Sequence, residues 1–522
     1  MILLSNRRSR TQNSIRNIVA GIGSQLLLTI IQFICRTVFI RTLGTDYLGI
    51  TGLFSNILSL LSLSELGIDT AITFKLYKPL KEDDEQRVRV LMKFYKYAYI
   101  VVGLSILVMG LCLIPLLPFL VKDYDTFSKL GLNAVLIFII FLLQSVTSYL
   151  FFAYKSAIIK ADQKEYITTI ISFICTFILN IIQIITLIWW KDFIIYTILA
   201  ILCNVVINCI NAAIAERKYR YAFQPTDENI SIQELKDIFK DLGALFIFKV
   251  NGAVLKATDN LVLSSFIGLA FVGKYSNYLM FYTTIRGVLS RVYNAIKASM
   301  GNLYVDDNID KQYRFFEITN YATYILYGTA GAGVATIANE FIYCWIGPDY
   351  IISQPFSVLM GIEILFLGLK LNLNQIRNVT GAFRQMWYRP LLGIMINLVV
   401  SIIGVNICGI SGVIIGTICA DLFSNILIDP HIIYSVSLKK YRPVSDYYKK
   451  NIIYFLLSVV ATIIELLICN NIFIGHSWLS LVFHFMICCL LFPISFLVIF
   501  HKSHECKFFM RIATNIIKRR KA

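Results

Sequence analysis

Long runs of apolar residues limit this chain to one class of fold. Apolar residues make up 57% of the 522 positions and charged residues only 15%, whereas a soluble domain carries roughly 25% charge. Stretches of about 20 apolar residues are long enough to cross a bilayer as helices. The pattern therefore predicts an all-α polytopic membrane protein with about fourteen transmembrane helices. We place these spans at residues 14–41, 47–75, 97–117, 127–154, 166–190, 193–215, 242–266, 271–300, 318–344, 355–377, 387–408, 411–433, 451–469 and 478–500.

Positive charge between the apolar runs indicates which side of the membrane each connection faces. Lysine and arginine are concentrated in alternate gaps and at both termini, while the gaps 268–273, 346–353, 409–410 and 470–477 are short and nearly free of cations. Because cytoplasmic loops carry an excess of positive charge, we expect cytoplasmic N- and C-termini. This distribution also accounts for the net charge of +17, so we expect no nucleic-acid partner. The basic N-terminal segment is expected to enter the first membrane helix, not to form a cleaved signal peptide.

An internal repeat divides the predicted helices into two halves. The motif L-G-x-x-Y-L-G at Leu43 recurs as I-G-x-x-F-V-G at Ile267, and Asn180 in the fifth span has a counterpart at Asn397 in the eleventh. Similar offsets in both pairs favour two six-helix lobes of the same orientation. We expect an N-terminal lobe at 1–215 (helices 1–6), a cytoplasmic linker at 216–241, a C-terminal lobe at 242–436 (helices 7–12), and helices 13 and 14 with a basic cytoplasmic tail at 437–522.

The second part of the linker, SIQELKDIFKDLG, has two interpretations. Its apolar residues fall on one helical face, which is typical of an amphipathic helix in the membrane interface. The same segment also fits the cytoplasmic start of the seventh span. The sequence leaves both open.

Ionisable side chains occur at membrane depth on the first two helices of each half. Charged groups in hydrocarbon are costly and normally face a bundle interior or a water-filled cavity. Cations outnumber acids on these helices, and the guanidinium group donates paired hydrogen bonds to phosphate. We therefore predict a central cavity for an anionic substrate, with the candidate binding cations Arg36, Arg41, Lys249, Lys256, Arg286, Arg291 and Lys297. Candidates for proton or sodium coupling, or for charge balance, are Glu65, Asp69, Asp259 and Glu363.

Structural roles remain open for some of these residues. Arg41 lies near the end of a span, where its side chain can extend to the lipid headgroups. Lys256 and Asp259 have the i, i+3 spacing of an ion pair on one helix. The thirteenth and fourteenth helices carry almost no ionisable groups beyond Glu465 and His484.

Motifs for catalysis and cofactor binding are missing from the sequence. It contains no Walker A, HExxH or GxSxG pattern, and the outward gaps are too short for a catalytic domain. The 12 cysteines are scattered without a CxxC pair, which is typical of reduced core residues. We expect no enzymatic activity, no cofactor and no metal site.

The segment from Arg36 to Leu80 resembles the start of a known family. It reads R-T-V-F-I-x-x-L-G-x-x-Y-L-G-I-x-G-L-F-S-N-I-L-S-L-L-S-L-x-E-L-G-I and ends in L-Y-K-P-L. Together with R-x-x-T-G-x-F at Arg377 and G-I-S-G-V-I-I-G-T at Gly409, it is similar to bacterial polysaccharide biosynthesis proteins of the Wzx type. These are lipid-linked oligosaccharide flippases of the multidrug/oligosaccharidyl-lipid/polysaccharide (MOP) exporter superfamily, and the resemblance extends over essentially the whole chain.

The resemblance implies a fourteen-helix fold with two lobes around a cavity lined by the first, second, seventh and eighth helices. The implied substrate is a repeat unit linked to undecaprenyl pyrophosphate, moved between leaflets of the bacterial cytoplasmic membrane by alternating access. Membrane lipids and polysaccharide polymerase machinery are the other implied partners. The alternative is a MATE-like drug/cation antiporter of the same superfamily, for which we would expect a cavity dominated by carboxylates.

Overall fold

Helices account for nearly all of the structure. The computed structural model describes residues 10–61, 68–120, 124–231, 233, 236, 258–259, 261–300, 309–380, 388–437, 442–472 and 477–511. These residues contain α-helices with short 3-10 and π segments, and no strand occurs among them. The predicted all-α fold class is confirmed.

The backbone divides into two compact units, residues 1–273 and 274–522. The first unit contains α1 (Arg10–Leu43), α2 (Thr45–Leu61), α3 (Ile68–Lys81), α4 (Glu85–Leu113), α5 (Ala134–Leu150), α6 (Ser156–Ala161), α7 (Glu165–Trp189) and α8 (Phe193–Lys218). Two short helices, Leu117–Leu120 and Asp125–Lys129, connect α4 to α5.

The second unit contains most of α9 and all of the helices that follow it. They are α9 (Leu269–Met300), α10 (Ile309–Ile346), α11 (Gln354–Thr380), α12 (Arg389–Cys408), α13 (Ser411–Asp421), α14 (Val444–Ile472) and α15 (Trp478–Ile499). A π segment at Leu422–Ile426 and a short helix at Asp429–Ile432 continue the chain after α13.

Many of these helices have the length and surface of membrane spans. Eight helices of the described part are long and apolar enough to cross a bilayer, or nine if the bent pair 134–150 and 153–161 is one span. Large apolar side chains cover their outer faces: Ile407 is 76% exposed and Trp189 74%. Such surfaces suit lipid rather than water. The chain is therefore a multi-pass membrane protein, and the count of fourteen spans stays a prediction.

The first turn is shorter than the sequence indicates. The predicted spans leave residues 42–46 for it, but α1 ends at Leu43 and α2 begins at Thr45. Gly44 alone reverses the chain, with φ of +95°, a conformation that glycine adopts without the steric cost of a Cβ. Gly268 precedes α9 in the same way, with φ of +125°.

The two turns of the sequence repeat pack against each other within the first unit. A Cβ at Gly49 would overlap the carbonyl oxygen of Leu269, and a Cβ at Gly273 would overlap that of Thr45. Gly49 and Gly273 occupy corresponding positions of the motif, and so do Thr45 and Leu269. The contact is therefore reciprocal, as in an interface with a two-fold axis.

Several predicted boundaries need correction. The second predicted span contains two helices, α2 and α3, and residues 62–67 between them lie outside the described part. The third begins earlier, at Glu85, because the Asp84 side chain caps α4 by accepting a hydrogen bond from a backbone amide. The fourth begins later, at residue 134, because Asn133 caps α5. The candidate interfacial helix at 232–239 falls almost entirely outside the described residues.

Glycine and aromatic contacts hold the second unit together. Gly331 of α10 and Gly361 of α11 bring the two backbones into direct contact, as small residues do between membrane helices. The hairpin α14–α15 packs on α10 through a cluster of buried aromatic rings. Two tyrosine hydroxyls of α10 also donate hydrogen bonds to backbone carbonyl oxygens of this hairpin. The Tyr324 hydroxyl donates to the Asn451 carbonyl oxygen at 3.1 Å, and the Tyr321 hydroxyl donates to that of Phe496 at 3.3 Å.

Candidate functional site

The predicted site residues are described to different extents. Side chains are described for Arg36, Arg41, Asp259, Arg286, Arg291 and Glu363. Asp69 lies in α3 and Lys297 in α9, but their side chains are outside the described part, as are the residues Glu65, Lys249 and Lys256 altogether. Neither the proposed pair of Lys256 with Asp259 nor the cation stripe of the seventh span can therefore be compared with the structure.

Arg36 lies in a partly buried, polar place in the first unit. α1 packs along α7, and the Arg36 guanidinium interacts electrostatically with Tyr196 of α8 and with Cys35. The Gln183 side chain of α7 accepts a weak hydrogen bond from the Cys35 thiol and donates one to the Tyr196 carbonyl oxygen at 3.0 Å. Polar groups from three helices thus surround a cation at membrane depth.

The other described candidates of the first unit differ in exposure. Arg41 is exposed in the last turn of α1, where a cation complements the negative end of the helix dipole. This position agrees with the structural alternative given above. Asp259 is buried, with 9% of its surface exposed.

In the second unit, the structure brings Glu363 close to Arg286. The Tyr282 hydroxyl donates a 2.9 Å hydrogen bond to the Glu363 carboxylate. Arg286, one turn along α9 from Tyr282, acts electrostatically on both groups and on Tyr327 of α10. Tyr282 thus holds in place the carboxylate of α11 next to a candidate binding cation of α9.

Two further ion pairs of the second unit were not predicted from the sequence. Lys370 of α11 contacts Asp421 of α13 at 2.6 Å, and Arg389 at the start of α12 contacts Asp429. The Arg389 and Asp429 side chains are 3% and 0% exposed. Arg389 is the first residue of α12 and is fully enclosed.

The ion pairs divide the cations of the second unit into two kinds. Lys370 and Arg389 are each neutralised by an aspartate. Within the described part of the chain, by contrast, neither Arg286 nor Arg291, both partly buried in α9, forms an ion pair. Buried charges are normally paired, so the two ion pairs distinguish Lys370 and Arg389 from these arginines of α9. The sequence pattern put Arg286 and Arg291 at depth but could not show which cations have an acidic partner.

A second ionisable group, in α10, α14 and α15, was missed as a site. Nδ1 of His484 lies 2.7 Å from Oε2 of Glu340, and both side chains are buried. Glu465 of α14 is completely buried, with Cys469 and Cys488 as electrostatic neighbours. The signal was present, since single ionisable residues in membrane helices normally have a function.

A cavity of about 110 Å³ lies between α10, α11 and α14, and its lining differs from the two ionisable groups described above. Glycine, alanine and large apolar side chains form most of its wall, and its two hydroxyl groups, those of Ser458 and Thr462, donate to carbonyl oxygens of their own helix. Such a wall offers no charge to an anion. The cavity is therefore separate in character from the arginines of α9.

Comparison with known proteins connects this arrangement to a family. The family model described as "Polysaccharide biosynthesis protein" matches residues 14–296, more than half of the chain. The chain belongs to this family. The match covers the repeat motif, α1 and the Arg286 region, so the resemblance seen in the opening sequence is confirmed. No match to this polysaccharide biosynthesis protein was found among the curated proteins.

Solved structures identify the fold of this polysaccharide biosynthesis protein. The lipid II flippase MurJ, in an inward closed conformation, matches with a TM-score of 0.69 and 14% identity, over 93% of this chain and 99% of MurJ. A multidrug resistance MATE family transporter of the MOP superfamily matches in its inward-facing conformation with a TM-score of 0.57 and 14% identity, over 80% of this chain and 96% of that one. At such low identity the likeness shows the fold alone.

Proposed function

We propose that this protein is a flippase for oligosaccharide repeat units linked to undecaprenyl pyrophosphate. It would move them from the inner to the outer leaflet of the bacterial cytoplasmic membrane, with both termini in the cytoplasm, for synthesis of a surface polysaccharide. Membership of a polysaccharide biosynthesis family and the fold shared with a flippase support a transport role. The choice of an anionic headgroup rests on the surroundings of Arg286.

Arg286 combines depth in the membrane with a guanidinium fork that forms no ion pair among the described residues. Among the described residues, Glu363 influences it without forming an ion pair with it, and the Glu363 carboxylate is held by Tyr282. A phosphate group can take two parallel hydrogen bonds from such a fork. Arg291, five residues further along α9, is the second described cation without an ion pair in this part of the chain. We propose that both bind the pyrophosphate. Arg36 is the candidate binding cation of the first unit.

The proposed transport cycle is alternating access, in which the cavity opens first to the cytoplasm and then to the outside. The lipid tail would stay in the bilayer throughout. Inward movement of protons or sodium ions is the proposed energy source, because each charge that crosses 100 mV yields about 2.3 kcal/mol. Glu363, Glu65, Asp69 and Asp259 are the proposed carboxylates for this coupling or for charge balance.

A MATE-like drug/cation antiporter is the second candidate. It is favoured by the structural match to a MATE transporter and by the hydrogen-bonded Glu363 carboxylate, a group that can bind a cation. Arg286 and Arg291, which form no ion pair among the described residues, argue against it, because they would repel a cationic drug.

The proposal is tested by replacing Arg286 with glutamine in the full-length protein. Arg217→Gln is the matched control, because Arg217 is an exposed arginine at the end of α8. We expect cells with Arg286→Gln to accumulate lipid-pyrophosphate-linked oligosaccharide on the cytoplasmic face and to lose surface polymer. Cells with Arg217→Gln should resemble the wild type.

Sidedness is measured by the accessibility of the glycan to an impermeant lectin in oriented vesicles, and protein level by immunoblot of the membrane fraction. Normal glycan export by Arg286→Gln at normal protein level would contradict the assignment of the cation. Unchanged lipid-linked glycans with retention of a cationic dye after depletion of the protein would replace the flippase with the antiporter.

A further inference from the structure

One end of the helix pair α7–α8 is strongly basic. The two helices pack against each other and are joined by residues 190–192, so the start of α7 and the end of α8 lie on the same side. The segments 155–165 and 216–220 at this end hold six lysines and arginines but three acids, so this end is cationic as a whole. The charge distribution of the sequence predicts that it faces the cytoplasm.

The opposite end of the pair marks the other edge of the membrane. Trp189 and Trp190 are 74% and 61% exposed there, and tryptophan is enriched at membrane–water interfaces. α7 has 25 residues and is therefore about 37 Å long, which exceeds the hydrocarbon core of about 30 Å. Lys164, directly before α7, is thus expected in the headgroup layer of the other leaflet.

Two lysines at this level share one carboxylate. Asp162 accepts hydrogen bonds from the Lys164 ammonium group and from the Tyr219 hydroxyl. The ammonium group of Lys218, the last residue of α8, lies 3.7 Å from the same carboxylate oxygen, which is too long for a hydrogen bond. Lys164 also repels Lys218. Asp162, Lys164 and Lys218 together carry one excess positive charge.

The two ammonium groups are partly enclosed, yet a ligand can reach them. The side chains of Lys164 and Lys218 are 24% and 25% exposed, and partly buried charges are screened less by salt than exposed ones. Of the other acids at this end, Glu216 pairs with Lys155 and Glu165 is exposed to solvent. An anion bound from outside would therefore compensate the excess charge.

The same helix pair presents apolar stripes to the lipid. Exposed side chains recur every four residues on each helix: Ile170, Ile174 and Ile178 on α7, and Leu202, Val206 and Ile210 on α8. Such surfaces suit acyl chains rather than water. A ligand with a phosphate group and acyl chains complements both the lysines and the stripes, whereas a soluble anion complements the lysines alone.

We propose that Lys164 and Lys218 bind the phosphate of an anionic phospholipid of the cytoplasmic leaflet. The lipid phosphate accepts hydrogen bonds from both ammonium groups, and the acyl chains lie along α7 and α8. Asp162, oriented by the Tyr219 hydroxyl, holds the two lysines next to each other. Basic pockets between membrane helices on the cytoplasmic side bind anionic headgroups. The site uses neither arginine of α9 and does not depend on the proposed substrate.

The site is tested by native mass spectrometry of the full-length protein with added phosphatidylglycerol and no transport substrate. The measured quantity is the dissociation constant of the first bound lipid. We expect Lys164→Gln and Lys218→Gln each to bind this lipid about fivefold more weakly than the wild type, which is the usual effect of one lysine near an anionic membrane surface. The matched control is Lys191→Gln, because Lys191 is an exposed lysine at the opposite end of the same helix pair. It should bind the lipid like the wild type.

Asp162→Asn should have the opposite effect. It removes the carboxylate charge that competes with the lipid phosphate, while the amide oxygen can still accept a hydrogen bond from Tyr219, so phosphatidylglycerol should bind more tightly. Phosphatidylcholine, whose headgroup has no net charge, should bind the wild type more weakly than phosphatidylglycerol. A photoactivatable phosphatidylglycerol should cross-link to wild-type residues 156–166 or 216–220, which locates the lipid even where a variant fails to fold.

Three results would overturn the proposal. The first is equal affinity of the two lysine variants and Lys191→Gln for phosphatidylglycerol, together with cross-links outside the two segments. The second is equal affinity of the wild type for phosphatidylglycerol and phosphatidylcholine. The third is displacement of phosphatidylglycerol by inorganic phosphate at constant ionic strength, which would make the ligand a soluble anion.

Discussion

The buried pair of Arg389 and Asp429 gives the sharpest prediction of stability. Its side chains are 3% and 0% exposed, so removal of one partner leaves the other charge uncompensated. Breaking such a pair costs about 3–5 kcal/mol, whereas replacing both partners with apolar residues is neutral or stabilising. Asp421 also acts on Arg389 and partly compensates the loss of Asp429. For Asp429→Leu we therefore expect the lower end, about 3 kcal/mol or a hundredfold in the folding equilibrium constant.

The test is a double-mutant cycle with Asp429→Leu, Arg389→Met and the combined variant. The free energy of unfolding is measured by chemical denaturation of the purified full-length protein in mixed micelles. Both single variants should be destabilised, and the double variant should be close to the wild type. Acidification should restore stability in Arg389→Met, because the remaining carboxylate can take up a proton. It should not do so in Asp429→Leu, because arginine keeps its charge.

A surface ion pair contributes about 0–1 kcal/mol, which sets the limit for refutation. Single variants that each lose less than about 1 kcal/mol would show that water reaches the pair. A double variant as unstable as the sum of the two single variants would show that the residues do not interact. Either result would contradict the enclosed geometry at the start of α12.

Three further predictions concern separate parts of the chain. Gly49→Ala should destabilise the protein by about 1–3 kcal/mol in thermal unfolding, because the new Cβ overlaps the opposing backbone; Gly52→Ala, whose Cβ meets its nearest neighbour at 3.4 Å, should be nearly neutral. Burial tends to raise the pKa of Glu505, but the hydrogen bond and charge of Lys450 outweigh it, so this pKa lies below its ordinary value. The ion pair of Glu505 with Lys450 stabilises the folded protein above the unfolded-state pKa, and this stabilisation is lost as pH falls through the folded-state pKa. Glu505→Gln should therefore lose less stability on acidification than the wild type. Equal losses would contradict the ion pair. Tyr282→Phe should cost about 1–2 kcal/mol of unfolding free energy by removing the hydrogen bond to the α11 carboxylate, and an unchanged value would show that water replaces the hydroxyl.

Local sequence was sufficient for the fold class and for much of the helix pattern. Apolar length alone identifies membrane helices, because every backbone polar group in lipid must be satisfied within the helix. Turns were less certain, since one capping side chain moves a boundary by several residues. Asp84 starts α4 well before the predicted span, and Gly44 alone makes a turn for which the predicted spans left residues 42–46.

The sequence predicted the repeat, and the structure showed the contact between its two copies. The two glycine motifs were recognisable in the sequence, but only the structure shows that Gly49 and Gly273 lie against each other's turns. Helical spacing likewise placed Arg286 and Glu363 at depth, while the Tyr282 hydrogen bond that links them comes from packing of α9 on α11.

The sequence by itself determined that the chain lies in a membrane as helices, which side of each helix is polar, and which family it belongs to. These properties depend on composition, on periodicity and on motifs within one helix or turn. The tertiary structure decided which charges are partners: Arg389 with Asp429, Lys370 with Asp421, and Glu340 with His484 across 144 residues. Pairing depends on distances between residues of different helices, and a helical period gives the direction of a side chain but not the group that it meets.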